Sequence, residues 1–390
     1  MKTIVNGLIY FVLIFHLNGQ DRDSDTYTHF IETLFAPSDS ILENQRGWSL
    51  IVLPEDAQDE NPLIPFIEQA KEADQIFMGA FKLQNPQPDI LDALKNAVER
   101  GVIVHLLAED RLTNMEIKVD NFEKKKAEAQ HAYESIGVPV HFIKNANYDQ
   151  THVKYILLES KDSTTSDQKV EALIGNTNFD KNFFGKTNQR PSRDFSVRIQ
   201  DKEIIKELKE GFWKDIKGER FQPTCVHQLI WGPEYQREKL KGMICSAKDY
   251  IRIYQQDLTD QEIIEALINA INKQVHVEVI MSPHPFGFDK PDLNLPSQHT
   301  IAMAGGKIYL HNHNTIHAKC LIVDDVAYIG STNFFTPAIG IEDHQEQKWI
   351  GNRNVGILIY NPELIKKLNQ IFDQDIRLSK IVETSTVTVK

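Results

Sequence analysis

Apolar and polar positions along this chain follow one order of periods, and the order occurs twice. In the first half, AKEADQIFMGAF (70–81) predicts the end of a helix running into a strand. DILDALKNAVERGVIVHLLAED (89–110) then predicts an amphipathic helix, a glycine turn and a buried strand. In the second half, CSAKDYIRIYQQDL (245–258) and QEIIEALINAINKQVHVEVIMS (261–282) predict the same elements in the same order. Ile90, Leu91, Leu94 and Val98 recur at helical spacing, as do Ile263, Ile264, Leu267 and Ile271. Val102–Leu107 and Val275–Ile280 are β-branched runs of strand length. Each half closes on a strand and a helix, DFSVRIQDKEIIKELKEGFWKDI (194–216) and NVGILIYNPELIKKLNQIFDQDI (354–376). Repeated β-α-β units of this kind predict two α/β domains related by a pseudo-twofold. The expected boundaries are a lead-in over 20–47, a first domain over 48–220 and a second over 221–390.

Between these elements, each half carries a histidine and a lysine two positions apart, followed by a glycine-led corner. The first pair is His152 and Lys154, with the corner Gly175-Asn176-Thr177-Asn178-Phe179. The second is His317 and Lys319, with Gly330-Ser331-Thr332-Asn333-Phe334. The first copy is longer because of the polar stretch ESKDSTTSDQKVEA (159–172), which reads as an enlarged hairpin loop. Residues two apart on a strand share a face. His317 and Lys319 should therefore project together while Ala318 and Cys320 point away, and His152 and Lys154 should do the same. Bringing the halves together would gather two histidines, two lysines, Asn178 and Asn333 around one cleft.

That inventory suits phosphodiester chemistry. Lysines and amides can bind non-bridging oxygens and stabilise a transition state by preorganised charge. One histidine can attack phosphorus, and the other can protonate the leaving oxygen and then activate water. Lysine supplies the positive charge, so no metal or other cofactor is expected.

HAKCLIVD followed by GSTN resembles the His-x-Lys-x4-Asp signature of the phospholipase D superfamily and its downstream Gly-Ser-x-Asn. The resemblance spans about 48 to 376 and both copies. It implies two phospholipase D-like α/β sandwich domains sharing one active site, and a covalent phosphohistidine intermediate. Glu159 stands where the family has aspartate, and Asn176 where it has serine. The family's late-strand acid, which orients a histidine, corresponds to Asp194 in the first copy and to Asn354 in the second. Read this way, Asp194 supports His152, making His152 the nucleophile and His317 the general acid. The implied site is His152, Lys154, Asn178, Asp194, His317, Lys319, Ser331 and Asn333.

Composition adds limits. The chain has 390 residues, with 41% hydrophobic and 25% charged, which is ordinary globular usage. A formal net charge of −12 argues against an extended nucleic-acid surface, which relies on lysine and arginine. Cys225, Cys245 and Cys320 match no disulfide framework or zinc spacing. Lys2, a mostly apolar run from Ile4 to Leu17 and a small residue at Gly19 resemble a secretory signal peptide over 1–19, so export is expected. His311, His313 and His317 share a face and raise a metal site, but no acidic or cysteine ligand is spaced nearby. Trp48, Trp231, Phe286 and Phe288 suit either a core or an apolar channel, and Lys124 to Lys126 read as a solvated helix face.

The reading that follows is a phospholipase D-type hydrolase of glycerophospholipids at a membrane surface, with or without phosphatidyl transfer to an alcohol. An exported nuclease is the alternative, and a non-catalytic phospholipid-binding protein a further one. No protein partner is required by any of them.

Overall fold

The computed structural model describes residues 35, 37–57, 60–83, 86–110, 119–160, 170–179, 191–225, 227–285, 287, 290–343 and 348–383. Residues 1–36 are a unit of their own, and residues 37–390 form one compact unit. The expected leader over 1–19 lies outside the described residues. No helix among the described residues is long and apolar enough to cross a membrane.

In the first half, helix α1 (Asp39–Asn44) precedes β1 (Ser49–Leu53), α2 (Leu63–Glu68), β2 (Gln75–Ala80) and α3 (Pro88–Glu99). There follow β3 (Ile103–Glu109), α4 (Val119–Glu134), β4 (Val140–Ile143), β5 (Tyr155–Glu159), β6 (Val170–Gly175), β7 (Ser192–Ile199) and α5 (Lys202–Lys217). The second half runs β8 (Leu229–Trp231), α6 (Gln236–Cys245), β9 (Tyr250–Tyr254), α7 (Gln261–Asn272), β10 (His276–Met281) and α8 (Leu295–Met303). It continues with β11 (Lys307–His311), β12 (Thr315–Ile316), β13 (Cys320–Val323), β14 (Val326–Gly330), α9 (Thr336–Ile339), β15 (Ile341–Asp343) and β16 (Lys348–Ile350). It closes with β17 (Val355–Ile359), α10 (Pro362–Arg377) and β18 (Ser379–Ile381).

The two sheets share a strand order. The first is β1-β7-β6-β5-β2-β3-β4 and the second β8-β17-β14-β13-β9-β10-β11, extended by β18. In each, the βαβ unit supplies the parallel pairs, β2 with β3 with β4 and β9 with β10 with β11. The remaining pairs along each order are antiparallel. The closing helices are built alike. Asp201 caps α5 by accepting from Glu203 and Ile204, and Asn361 caps α10 by accepting from Glu363 and Leu364. Ile204, Leu208 and Phe212 on α5 match Leu364, Leu368 and Phe372 on α10. Both triplets enter one core together with Phe77, Ile174 and Phe195 of the first sheet and Tyr254, Ile329 and Ile357 of the second. Burial of this shared apolar face favours keeping the two sheets face to face. The end of the expected lead-in is part of this body. Gln45 is fully buried; its side chain donates to the Leu358 carbonyl at 3.1 Å and accepts from the Tyr360 amide at 2.7 Å.

Two buried ion pairs cross between the halves. Arg193, beside β7's start, donates through Nε and Nη2 to both oxygens of Asp375 on the second half's α10, at 2.8 Å each. Its Nη1 donates to the Leu53 carbonyl at 2.8 Å and also meets Glu55. Arg353 repeats the arrangement in the other direction. Its Nε donates to Asp215 on the first half's α5 at 3.0 Å, and its Nη1 reaches Glu234 and the Gly232 carbonyl. The Arg353 guanidinium lies among the rings of Tyr148, Phe221 and Trp231, 4.7 to 5.7 Å from their centres. Such pairs hold register because neither charge can be left alone in the interior.

Asp375→Ala leaves Arg193 with Glu55 alone as counter-charge and Tyr254 without its acceptor, and should cost about 2–4 kcal/mol of folding free energy. Lys124→Ala, on an exposed face of α4 beside Glu128, should cost under about 0.5 kcal/mol. Guanidinium unfolding of the three proteins tests this, and similar midpoints for both variants would contradict it.

Candidate active site

The two His-x-Lys segments do not lie within strands. His152 to Lys154 precede β5, and His317 to Lys319 fill the gap between β12 and β13. They leave their own ladders because each pairs with the other half. The His152 amide donates to the Arg353 carbonyl at 2.8 Å, and Thr151 and Arg353 form a parallel bridge. In the reverse direction β12 runs parallel to β7, and the Ala318 amide donates to the Arg193 carbonyl at 2.9 Å. The ion-paired arginines thus place each His-x-Lys segment on the residues preceding or opening the opposite late strand.

The glycine corners close the site from below. A Cβ on Gly175 would stand 2.3 Å from the Phe195 carbonyl oxygen, and one on Gly330 2.6 Å from the Gly356 Cα. Only glycine permits these approaches. Asn176 then accepts from the Phe195 amide at 2.7 Å, where Ser331 accepts from the Val355 amide at 3.1 Å. The longer Asn176 side chain also reaches the Lys319 and Gly330 carbonyls at 3.4 Å, adding a tie between the halves.

The histidine partners are crossed relative to the sequence expectation. Asp194 does not support His152; it accepts from His317 Nδ1 at 2.7 Å, and its other oxygen accepts from Ser192 Oγ at 2.6 Å. His152 Nδ1 faces two acceptors, the Ser331 carbonyl at 2.8 Å and Asn354 Oδ1 at 3.0 Å. The orientation of Asn354 is fixed by its Nδ2, which donates to the carbonyls of Ala338 and Asn352 at 3.1 and 3.4 Å. His152 therefore carries its proton on Nδ1 and leaves Nε2 with a free lone pair. A carboxylate at 354 would set its second oxygen against those two carbonyls, so the amide belongs to this position.

Charge separates the two rings further. Burial, Lys154 and Lys319 hold His152 well below the usual histidine range, with only the hydrogen bond that His152 donates to Asn354 opposing them. Burial and Lys319 also lower His317, to about 4, but Asp194 opposes them by charge and by hydrogen bonding. Burial drives Lys154 well down, helped by Lys319 and opposed by Asp194. Lys319 falls to about 8, opposed by Asp194 and Asp257. Lys154 Nζ donates to the His152 carbonyl at 2.9 Å, and Lys319 Nζ donates to the His317 carbonyl and, at 3.1 Å, to Gln256 Oε1. Asn178 and Asn333 are buried, and neither Oδ1 has a partner among the described residues. Two matched amides left in this condition fit ligand contact.

Other expected residues resolve differently. The Ser331 hydroxyl is engaged by Asn354 Oδ1 and the Val355 backbone, so it positions the corner, and it is the Ser331 carbonyl that touches His152. Glu159 pairs with Lys209, and Asp324 accepts from the amides of Lys248, Asp249 and Tyr250. Trp48 and Trp231 are core residues, Trp231 donating to Glu207 at 2.9 Å. Phe286 and Phe288 lie outside the described residues. His311 is buried and bonded to Ser379 at 3.0 Å, whereas His313 is exposed and His317 faces Asp194. The three histidines therefore do not converge on one point.

Residues at the ends of β2 and β9 belong to the site and were not expected. The His152 ring packs edge-on against Phe81 at 4.5 Å. Lys154 and Lys82 approach the same Phe81 ring at 5.1 and 5.2 Å. Lys82 acts electrostatically on both Lys154 and Lys319. On the other side stand Gln256 and Asp257. Their position past the carboxyl ends of parallel strands, where open α/β sheets bind ligands, was the available signal.

This geometry has relatives. The family model described as cardiolipin synthase, PLD-like domain, matches residues 63–216 and again 240–376. Cardiolipin synthase 1 of Staphylococcus epidermidis is 24% identical over 331 residues, covering 77% of this chain and 62% of its own. Cardiolipin synthase of Oceanobacillus iheyensis is 27% identical over 157 residues, covering 38% of this chain and 30% of its own. The chain thus spans under two thirds of the length of these relatives. A phosphatidylserine synthase structure from Haemophilus influenzae superposes with a TM-score of 0.60 at 12% identity, covering 91% of this chain and 92% of that one. A polyphosphate kinase from Porphyromonas gingivalis gives 0.60 at 14%, covering 90% of this chain and 50% of that one. At such identities the superpositions show the shared fold alone.

The crossed partners have a direct spectroscopic consequence. Asp194 raises His317, so Asp194→Asn should lower the His317 titration by roughly one unit or more and leave His152 nearly unmoved. Nitrogen-15 NMR titration of the two imidazoles reads this, and a shift confined to His152 would overturn the pairing.

Proposed function

Because the chain belongs to the phospholipase D-like family, we propose that it is a phosphodiesterase of phospholipase D type acting on glycerophospholipids through a covalent phosphohistidine. The observation that carries this reading is the crossed pair of histidines, one backed by an amide and one by a carboxylate, between two lysines. Lys154, Lys319 and the Nδ2 groups of Asn178 and Asn333 donate to the non-bridging oxygens of the diester. His152 Nε2 attacks phosphorus, its Nδ1 proton held by Asn354 and Ser331. The P–O bond to the leaving alcohol breaks as His317, protonated and stabilised by Asp194, gives its Nε2 proton to that oxygen. An anionic diester offsets the two lysine charges that depress His317 and so favours the imidazolium this step needs. Neutral His317 then takes the proton from water or from a second alcohol, whose oxygen attacks the phosphohistidine and restores His152. Water gives hydrolysis and an alcohol gives phosphatidyl transfer. The synthase relatives favour transfer as a substantial outcome alongside hydrolysis.

The sequence places His152 as nucleophile on the expectation that Asp194 supports it, whereas Asp194 binds His317. The assignment is kept here on the opposite ground. An amide fixes the tautomer without stabilising a cation, which suits a nucleophile, and the carboxylate suits the acid.

The full chain, incubated with EDTA, ethanol and mixed phosphatidylcholine, phosphatidylethanolamine and phosphatidylglycerol vesicles, should yield phosphatidic acid and phosphatidylethanol. Both should fall by about a thousandfold or more in His152→Ala. With a p-nitrophenyl diester, whose leaving group needs no proton, His317→Ala should still accumulate phosphoenzyme and His152→Ala should not. Trapping only in His152→Ala would reverse the roles. Absence of lipid products, together with cleavage of single-stranded DNA or RNA by the same sample, would replace the lipid reading by a nuclease.

A further inference from the structure

Helices α4 and α8 hold the same place in the two halves, each joining the second and third parallel strands of its sheet. Their outward faces differ. α4 turns Glu123, Lys124, Glu128 and Glu134 to solvent, and Lys124 pairs with Glu128 at 3.8 Å, as a water-facing helix does. From Leu293 to Gly306, across the whole of α8, there is no Asp, Glu, Lys or Arg. Leu293, Leu295 and Met303 are instead 54, 56 and 62% exposed. Leu295 and Met303 stand two four-residue steps apart, on one side of the helix. Two of its polar side chains are spent on its own backbone. Ser297 donates to the Asn294 carbonyl and Thr300 to the Pro296 carbonyl, at 2.8 Å each. Gln298 is buried, and half-buried His299 is the one titratable group on α8.

This apolar face adjoins the site. Asn294, between the two leucines, accepts from the Leu258 amide at 2.9 Å and donates to the Gln256 carbonyl at 3.0 Å. The Gln256 side chain in turn accepts from Lys319 Nζ at 3.1 Å. Exposed apolar side chains grouped in this way mark a contact surface, and size and charge select what meets it. Three half-exposed side chains present well under the roughly 800 Å² per partner that a stable protein interface buries. A chain of net charge −12 repels its own copy and an anionic surface alike. A zwitterionic bilayer asks for no charged partner, and a few leucines can enter its acyl boundary.

We propose that Leu293 and the outward face of α8 dock the protein on a zwitterionic phospholipid bilayer beside the active site. This rests on the lipid reading above. Leu293, Leu295 and Met303 enter the acyl boundary, and Asn294 ties them to the segment after β9 that carries Gln256. The charged face of α4 stays in water, so the second half meets the bilayer and the first does not.

The test is amide hydrogen exchange, read by mass spectrometry on the full chain with and without phosphatidylcholine vesicles. Exchange is read segment by segment, so attachment through the apolar run over 4–17 does not enter. Vesicles should slow exchange across 293–303 by about tenfold or more and leave 121–134 unchanged. This measurement needs no variant. Leu293→Ser, Leu295→Ser and Met303→Ser combined should then remove the protection, with a melting temperature close to that of the full chain because all three side chains are exposed. The same samples are assayed for phosphatidic acid. Protection over 293–303 without lipid product supports the docking face and overturns the lipid reading. Product without that protection overturns the face and leaves the lipid reading standing. Protection that survives in the folded triple variant overturns the face as well. Protection that needs no vesicles and grows with protein concentration overturns the bilayer as occupant and assigns the face to a second copy of the chain.

Discussion

A guanidinium buried as completely as that of Arg353, 1% exposed as a side chain, must bring its counter-charge into the interior with it. Here one carboxylate of that counter-charge comes from the opposite half, beside Glu234 from its own. Arg353 takes Asp215 and Arg193 takes Asp375, so each late strand is fixed against the other domain's closing helix. The carbonyls of the same two arginines receive the amides of His152 and Ala318. One pair of residues therefore fixes the packing of the halves and the backbone that presents the histidines. The shared core supplies the bulk of the attraction, while the ion pairs determine which residues meet, since a slipped register would leave Asp215 and Asp375 buried without their arginines.

Against that symmetric frame the asymmetries carry the chemistry. Asn354 stands at the position equivalent to Asp194 because Ala338 and Asn352 present carbonyls there, whereas the Ser192 hydroxyl donates to Asp194. The result is one histidine held neutral with its proton on Nδ1 and another whose loss of charge a carboxylate opposes. Phe81 and Lys82 opposite Gln256 and Asp257 form a second asymmetry at the ends of equivalent strands. A perfectly symmetric site would offer both histidines and both ends of a diester the same environment.

Much of this was legible in the chain. The helix periods around Ile90 and Ile263, the β-branched runs after them and the repeated His-x-Lys with its Gly-x-Thr-Asn corner predict two α/β units and a joint site, because local period and tight turns are local properties. The crossing was not legible. Nothing in the spacing of Asp194 reveals that it reaches His317 rather than His152, since either choice preserves the pattern. Departure of the His-x-Lys segments from their own ladders was hidden for the same reason, because the carbonyls of Arg193 and Arg353 that receive them come from the opposite half. The position of Asp257 carries a signal only once the strands are aligned, and the side chain of Ser331 reads as catalytic until Asn354 and Val355 are seen to engage its hydroxyl.

Duplication is often taken to free one copy to drift while the other preserves an activity. The exchange of partners here removes that freedom. A change at 354 is felt by His152, in the other copy, and a change at 194 by His317. Each copy therefore inherits the consequences of substitutions in its twin, and the two can specialise only jointly. The two copies thus hold one set of histidine environments between them, and neither sets its own.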